Sequence, residues 1–162
     1  MNTTTQHTQR PVEAKRRAAI AGVLALLLAG PVLAQERLTA KVWKEPSCGC
    51  CKDWITHMEQ AGFEVQVFDS GNNAARARLG IAQKFGSCHT AQIGRYAIEG
   101  HVPAADIRRL LREAPRAIGL AAPGMPVGSP GMDGPVYGDR KDAYDVLLLT
   151  ADGKSTVFQS HR

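Results

Sequence analysis

The sequence predicts a single α/β domain, because short β-favouring runs alternate with stretches of helical periodicity. Leu38 to Lys44 is the first predicted strand. From Cys51 to Ala61 the apolar residues recur at helical spacing, and Gly62 then ends the helix. Phe63 to Val67 alternates apolar and polar residues, which is typical of a second strand. A strand–helix–strand unit of this kind predicts two parallel strands.

A weaker helix is predicted at 74–79, where Ala74 follows two asparagines and Gly80 ends the pattern. Two extended runs, 88–93 and 96–101, are joined across Gly94-Arg95, which predicts a hairpin. A helix from Pro103 to Ala114 follows, since proline suits a first helical turn.

Residues 119 to 138 are rich in glycine and proline and show no periodicity, so we expect a long loop without a regular element. This loop carries Met125 and Met132. The loop is too rich in glycine to be held by packing alone, so we expect copper to order it, with the two methionines as a lid or auxiliary donor pair over the cysteine site. Tyr144 to Leu149 and Ser155 to Phe158 flank an Asp-Gly pair, which predicts a C-terminal hairpin.

The first 34 residues are predicted to be a secretory signal peptide, followed by one domain at 35–162. A basic front precedes an apolar run from Ala18 to Leu28, and Val32-Leu33-Ala34 suits a signal peptidase. The prediction is therefore a periplasmic protein with no stable membrane anchor after cleavage. An uncleaved anchor and a twin-arginine route through Arg16-Arg17 are the alternatives.

The net charge argues against nucleic acid as a partner. The leader holds four of the 20 Lys and Arg residues and one of the 15 acidic residues, so without it the formal net charge is +2 rather than +5. The remaining arginine cluster follows a helical pattern and is most simply a solvated face. It comprises Arg108, Arg109, Arg112 and Arg116.

Three of the four cysteines fall within Cys48-Gly49-Cys50-Cys51. Crowded thiolates indicate a soft metal ion, a disulfide, or both in alternation. At the start of the predicted helix Cys48 would be exposed to the helix dipole as the reactive sulfur, while Cys51 would face inward. Strand, Cys-x-x-Cys, helix, strand, then hairpin and helix is the order of a thioredoxin-like fold.

Cys88-His89 occupies the segment that lies against the Cys-x-x-Cys in such a fold. A thiol and an imidazole facing three thiols suit Cu(I) or zinc. Met125 and Met132 favour copper, because methionine sulfur is a soft ligand. A static disulfide with a spare thiol is the alternative.

His101 is predicted to face Cys88. With the turn between Gly94 and Arg95, opposed residues have numbers that add to 189. His101 would then share a face with Cys88 rather than with His89. The alternative is a helix-cap role. The remaining histidines are not ligand candidates: His57 would pack or support a ligand, His7 falls in the leader and His161 at a frayed terminus.

Four ordered motifs carry a resemblance to a known family: Cys48-Gly49-Cys50-Cys51, Ser87 to Ala91, Glu99 to Pro103 and Gly124 to Met132. Over Leu38 to about Phe158 the chain resembles the CopG-like family of periplasmic copper-resistance proteins. The resemblance implies a thioredoxin-like fold, copper bound near the cysteines, and thiol or copper redox activity linked to copper tolerance.

The sequence thus supports three hypotheses. The first is a periplasmic Cu(I)-binding protein, with one or more ions and other periplasmic copper-handling proteins as partners. Its candidate ligands are Cys48, Cys50, Cys51, Cys88, His89, His101, Met125 and Met132. The second is a thiol-disulfide oxidoreductase in which Cys48 attacks and Cys51 resolves. The third is a secreted domain stapled by disulfides.

Overall fold

The computed structural model describes Met1 and residues 38–162. The predicted signal peptide lies outside the described residues. Within residues 38–162, seven strands form one sheet. The first six are β1 (Thr39–Lys44), β2 (Glu64–Phe68), β3 (His89–Ile93), β4 (Tyr96–Glu99), β5 (Gly119–Ala121) and β6 (Tyr144–Leu149). The chain ends in β7 (Ser155–His161).

Three α-helices connect the strands, namely α1 (Gly49–Gln60), α2 (Asn73–Arg78) and α3 (Ala104–Glu113). Two single 3₁₀ turns, Gln83–Phe85 and Pro135–Tyr137, complete the regular structure of residues 38–162. No helix in this stretch has the length and apolar character needed to cross a membrane.

The sheet order is β2-β1-β3-β4-β5-β6-β7. β1 and β2 are parallel and are connected by α1, whereas β3 pairs antiparallel with both β1 and β4. The predicted α/β class is therefore confirmed, as are the parallel strand–helix–strand unit and both hairpins. Assignment to the thioredoxin-like class stays a prediction.

The main core lies where α1 and α3 pack on the first four strands. Trp54, Met58, Ile107 and Leu110 on these helices are fully buried. They repeat at helical spacing because each helix presents one apolar stripe to the sheet. The N-terminus of α1, with its cysteines, is thereby fixed against the start of β3.

The prediction that residues 119–138 hold no regular element is wrong near both ends, since the 3₁₀ turn Pro135–Tyr137 lies within them. Gly119–Ala121 forms β5, which pairs parallel with β4 and antiparallel with β6. A Cβ on Gly119 would lie only 1.7 Å from the Ala97 carbonyl oxygen, so this position accepts glycine alone. Three residues are too few to show strand periodicity, and the glycine that suggested a loop is what permits close pairing.

Packing and backbone hydrogen bonds both hold the part of this segment that carries the methionines. Val127, Ser129 and Met132 are buried. Gly128 N–H donates to the Met132 carbonyl at 2.8 Å, and Met132 N–H donates to the Ser129 carbonyl at 2.8 Å. We call residues 124–132 the methionine loop.

Candidate metal centre

The cysteine turn stands at the start of α1. Cys48 is the residue before the helix, and its backbone is extended. Cys51 is fully buried on the apolar stripe, as predicted. The two sulfurs form a disulfide, whose cysteines are three residues apart. This pairing is the one that the Cys-x-x-Cys spacing predicts for a redox-active turn.

Cys50 and Cys88 are free thiols beside this disulfide. Cys50 Sγ lies 3.7 Å from Cys48 Sγ and 3.9 Å from Cys88 Sγ. Cys51 Sγ lies 3.7 Å from the Cys88 carbonyl oxygen, although a disulfide sulfur has no proton to donate. The segment entering β3 therefore does lie against the cysteine turn, and all four sulfurs fall within one small volume.

Cys88 also contacts His101 across the hairpin. The ladder pairs Ile93 with Tyr96 and Thr90 with Glu99, which is the predicted register. Beyond the end of the ladder, Cys88 Sγ lies 3.0 Å from His101 Nε2. The prediction that His101 faces Cys88 is thus confirmed.

The contact of His101 with the methionine loop determines its tautomer. His101 Nδ1 lies 2.8 Å from the Pro130 carbonyl oxygen. A carbonyl can only accept, so Nδ1 carries the proton and Nε2 presents a lone pair to Cys88. A metal ligand needs such a lone pair, and its other ring nitrogen is commonly anchored in this way.

His89 approaches the same thiol, which the assignment of opposite faces did not predict. Its Nδ1 lies 3.4 Å from Cys88 Sγ, and its ring meets the His101 ring edge-on at 5.0 Å between centroids. Side chains alternate strictly only inside a strand, and β3 begins at His89, so Cys88 is free to turn towards both imidazoles.

One nitrogen of His89 lacks a partner. Nε2 is buried and has no hydrogen bond to any described residue. An unsatisfied buried polar atom costs roughly 1–3 kcal/mol. The ring packs on Trp54, whose indole N–H donates instead to the Val102 carbonyl at 2.9 Å. The nitrogen that approaches Cys88 is the other one, Nδ1.

These residues form two groups that share Cys88. One group is Cys48, Cys50, Cys51 and Cys88, and the other is Cys88, His89 and His101. Within each group the potential ligand atoms lie within 4.8 Å of one another. Sulfur and imidazole donors at this spacing fit a soft metal ion such as Cu(I).

Burial controls the protonation of both donor types. It raises the pKa of the Cys88 thiol to about 12, and the neighbouring Cys50 adds to the rise. Burial lowers the pKa of His89 well below its ordinary value, with His101 adding to the effect, and it also lowers the pKa of His101. At neutral pH the imidazoles are therefore neutral, and a metal ion that bound Cys88 would have to displace the thiol proton.

The two methionines of the loop differ in environment. Met125 is 52% exposed, whereas Met132 is 6% exposed and its sulfur accepts a hydrogen bond from the Tyr137 hydroxyl at 3.3 Å. Met125 and Cys88 both line a pocket of about 390 Å³. The other end of the loop covers α1, because a Cβ on Gly131 would lie 2.6 Å from the Cys50 carbonyl oxygen.

Three buried residues to which the sequence analysis gave no role in the site surround Ser87, the residue before Cys88. They are Asn72, Arg76 and Glu99. An acidic residue at the end of the apolar run Tyr96-Ala97-Ile98 was the available signal, since a buried carboxylate requires partners.

Two other histidines have structural partners. The expectation that His161 lies at a frayed terminus is wrong, because it belongs to β7 and its Nε2 lies 2.8 Å from Asp106 Oδ2. His57 Nε2 accepts a hydrogen bond from the Ala104 N–H at 3.1 Å and so satisfies a free donor at the start of α3.

Comparison with known proteins is consistent with this geometry. The family model of DUF411, a family described as of unknown function, matches residues 85–132, which include Cys88, His101 and the methionine loop. A solved structure described as copper resistance protein CopG, form 2, is 48% identical, with a TM-score of 0.72. The match covers 78% of this chain and 100% of that one. The chain belongs to the CopG-like copper-resistance family.

A second solved structure, copper resistance protein CopG in form 1, is also 48% identical to this family member, with a TM-score of 0.71. The match covers 78% of this chain and 98% of that chain. No curated protein sequence matches the chain at a significant level.

Proposed function

We propose that this CopG-like protein binds Cu(I) in the periplasm and contributes to copper tolerance. The observation that carries the proposal is the sharing of Cys88 between a group of four sulfurs and a group with two neutral imidazoles. Zinc is usually held by four ligands in a closed tetrahedral site, whereas sulfur-bridged clusters suit Cu(I). The relatives described as copper resistance proteins support this choice of metal.

The proposed ligands divide according to the oxidation state of the cysteine turn. Cys50, Cys88, His89 and His101 are available while the disulfide is present. Reduction of the disulfide by two electrons and two protons adds Cys48 and Cys51 as thiols. Met125 is proposed as an additional soft ligand at the pocket, and Met132 as a buried member of the loop. More than one Cu(I) would share the bridging sulfurs.

An anaerobic Cu(I) titration against a competing chelator tests this proposal. Wild type should bind Cu(I) more tightly than zinc, and Cys88→Ser should lose affinity by more than about 100-fold, because its sulfur belongs to both groups. Cys50→Ser is the matched control, since it removes one sulfur from one group only. Zinc retained in preference to copper, or equal losses of Cu(I) affinity in the two variants, would contradict the proposal.

The second candidate function is thiol-disulfide oxidoreduction, which the Cys48–Cys51 disulfide favours. In this reaction a partner dithiol would be oxidised while the disulfide accepts two electrons and two protons. Activity should then survive Cys88→Ser and His89→Ala but disappear in Cys48→Ser. Activity that disappears in Cys88→Ser and His89→Ala but survives in Cys48→Ser would instead support metal binding as the main role.

The proposed location requires cleavage of the leader. Mass spectrometry of the exported protein should give a mature chain that begins at or within a few residues of Gln35. An intact segment from Met1 to Ala34 would instead support an uncleaved anchor. Other periplasmic copper-handling proteins are the proposed donors or acceptors of the ion.

A further inference from the structure

Ser87, immediately before Cys88, has both of its backbone polar groups held by buried side chains. Its N–H donates to Glu99 Oε1 at 2.7 Å. Its carbonyl accepts hydrogen bonds from Arg76 Nη2 at 2.6 Å and from Asn72 Nδ2 at 3.1 Å. We call Asn72, Arg76 and Glu99 the Ser87 clamp.

The side chains of the clamp are buried and joined to one another. Asn72, Arg76 and Glu99 are 7%, 4% and 0% exposed. Arg76 Nε donates to Glu99 Oε1 at 2.8 Å, and the Thr90 hydroxyl donates to Glu99 Oε2 at 2.6 Å. A buried ion pair is weak evidence for stability, because the cost of removing both charges from water offsets their attraction. What this network supplies is a fixed position for the groups that it binds.

The groups that it binds belong to the segments that carry the candidate ligands. Ser87 precedes Cys88, and Glu99 lies two residues before His101. Glu99 also faces Thr90 across the β3–β4 ladder. The clamp therefore acts on both sides of the contact between Cys88 and His101. Arg76 of α2 and Asn72, the residue before that helix, reach it from outside the hairpin.

The clamp also reaches the methionine loop. The Ser87 hydroxyl donates to the Gly124 carbonyl, which starts that loop. Gly100, between Glu99 and His101, has a φ of 71°, and a Cβ there would lie 2.5 Å from Ser87 Oγ. The backbone just after β4 can thus approach Ser87 closely only because residue 100 is glycine.

We propose that the Ser87 clamp positions Cys88 against His101 before any metal binds. Its consequence for affinity rests on the proposed Cu(I) site. A ligand pair that is already ordered loses less conformational entropy on binding, so affinity rises without any new contact to the ion. The clamp residues are positioning residues, since their hard nitrogen and oxygen atoms are poor ligands for Cu(I).

Cu(I) affinity is the first test, measured with a competing chelator well below the melting temperature of every variant. Asn72→Ala removes one donor to Ser87 and leaves the ion pair intact, and we expect a loss of about 10-fold. Glu99→Gln removes the charge that balances Arg76, and we expect a larger loss. Ile107→Val, in the core on α3, is the control for lost stability and should bind as wild type does.

Alkylation of Cys88 is the second test, and it needs no metal. Apoprotein with the disulfide intact is treated with iodoacetamide, and Cys88 modification is compared with that of Cys50 by mass spectrometry. The ratio is the alkylation rate of Cys88 divided by that of Cys50. We expect it to rise at least about fivefold in Asn72→Ala, because the Ser87 backbone before Cys88 is then held less firmly, and to stay unchanged in Ile107→Val.

The two tests separate the clamp from the proposed function. A wild-type protein that binds no Cu(I) would overturn the proposed function, while the alkylation ratio would still decide the clamp. An unchanged ratio in both Asn72→Ala and Glu99→Gln would overturn the clamp even if copper binds. An equal change in Ile107→Val would overturn it too, because lost stability alone would explain the effect.

Discussion

Cys88 Sγ lies 3.0 Å from His101 Nε2, although the two residues are 13 positions apart in the sequence. The β3–β4 hairpin sets this distance, and the hydrogen bond from His101 Nδ1 to the Pro130 carbonyl directs the free nitrogen towards the sulfur. The backbone register and the orientation of the imidazole therefore both bring His101 to Cys88. Cys88 is the residue that the two candidate ligand groups share.

His101→Asn should lower the Cu(I) affinity by at least about 10-fold, because it removes an imidazole lone pair that faces Cys88. The matched control is His161→Asn, which removes an imidazole bound to Asp106 outside the ligand groups. Chelator competition under anaerobic conditions measures both. Equal affinities for the two variants would show that His101 is not a ligand.

This pairing could be predicted from the sequence because it depends on one local feature, the turn at Gly94-Arg95. Once the centre of a hairpin is known, every opposed pair follows by counting. The same holds for α1, where helical spacing predicts that Cys51 shares the buried face of Ile55 and Met58. A local feature of the sequence was therefore sufficient for each prediction: the turn for the hairpin and the helical spacing for α1.

The Ser87 clamp could not be predicted in this way, because its residues belong to two segments, 72–76 and the end of β4, that are both distant from Ser87 in the sequence. Asparagine, arginine and glutamate are ordinarily surface residues, and only the tertiary fold brings them to Ser87. The approach of His89 to Cys88 was missed for a different reason. The rule of alternating faces was applied to Cys88, one residue before β3 begins.

Reduction of the Cys48–Cys51 disulfide should increase the number of Cu(I) ions bound per protein by at least about one, because two further thiols join Cys50 and Cys88. Copper content is measured after anaerobic loading of the oxidised protein and of protein treated with a phosphine that is then removed. The double variant Cys48→Ser/Cys51→Ser should not respond to the reductant. Identical copper content in oxidised and reduced wild type would contradict this expectation.

Met125→Leu and Met132→Leu should have separate effects, because one side chain is exposed and the other is buried. We expect Met132→Leu to lower the free energy of unfolding by less than about 1.5 kcal/mol, as is usual for swaps of similar volume. Met125→Leu should leave stability unchanged and weaken Cu(I) binding if its sulfur is a ligand. Unfolding by urea and chelator competition measure the two quantities. If the double variant binds Cu(I) as tightly as wild type, neither sulfur is a ligand.

Gly119→Ala should destabilise the protein by at least about 3 kcal/mol, because its Cβ would overlap the Ala97 backbone within the β4–β5 pair. Gly134→Ala is the control, since a Cβ there would have no neighbour within 4 Å. Thermal unfolding of the two variants measures the difference. Similar melting temperatures would show that β5 does not pair with β4 in solution.

Acid should destabilise the apoprotein partly through His57. Burial lowers the pKa of His57 from its ordinary value of 6.5, with Asp133 opposing the shift. The folded state therefore binds this proton less readily than the unfolded state does. The contribution of His57 to stability is fully present above pH 6.5 and is lost as the pH falls below that value towards the folded pKa.

Besides being half-buried, neutral His57 accepts a hydrogen bond at Nε2 from the Ala104 N–H. Protonation would replace this acceptor with a positive charge at the N-terminus of α3, where the helix dipole disfavours it. His57→Gln offers an amide oxygen as an acceptor that does not titrate. At pH 7 its free energy of unfolding should lie within about 1 kcal/mol of wild type. Between pH 7 and pH 5 it should decline less steeply in urea unfolding, and a decline as steep as that of wild type would exclude His57 as a source of the acid sensitivity.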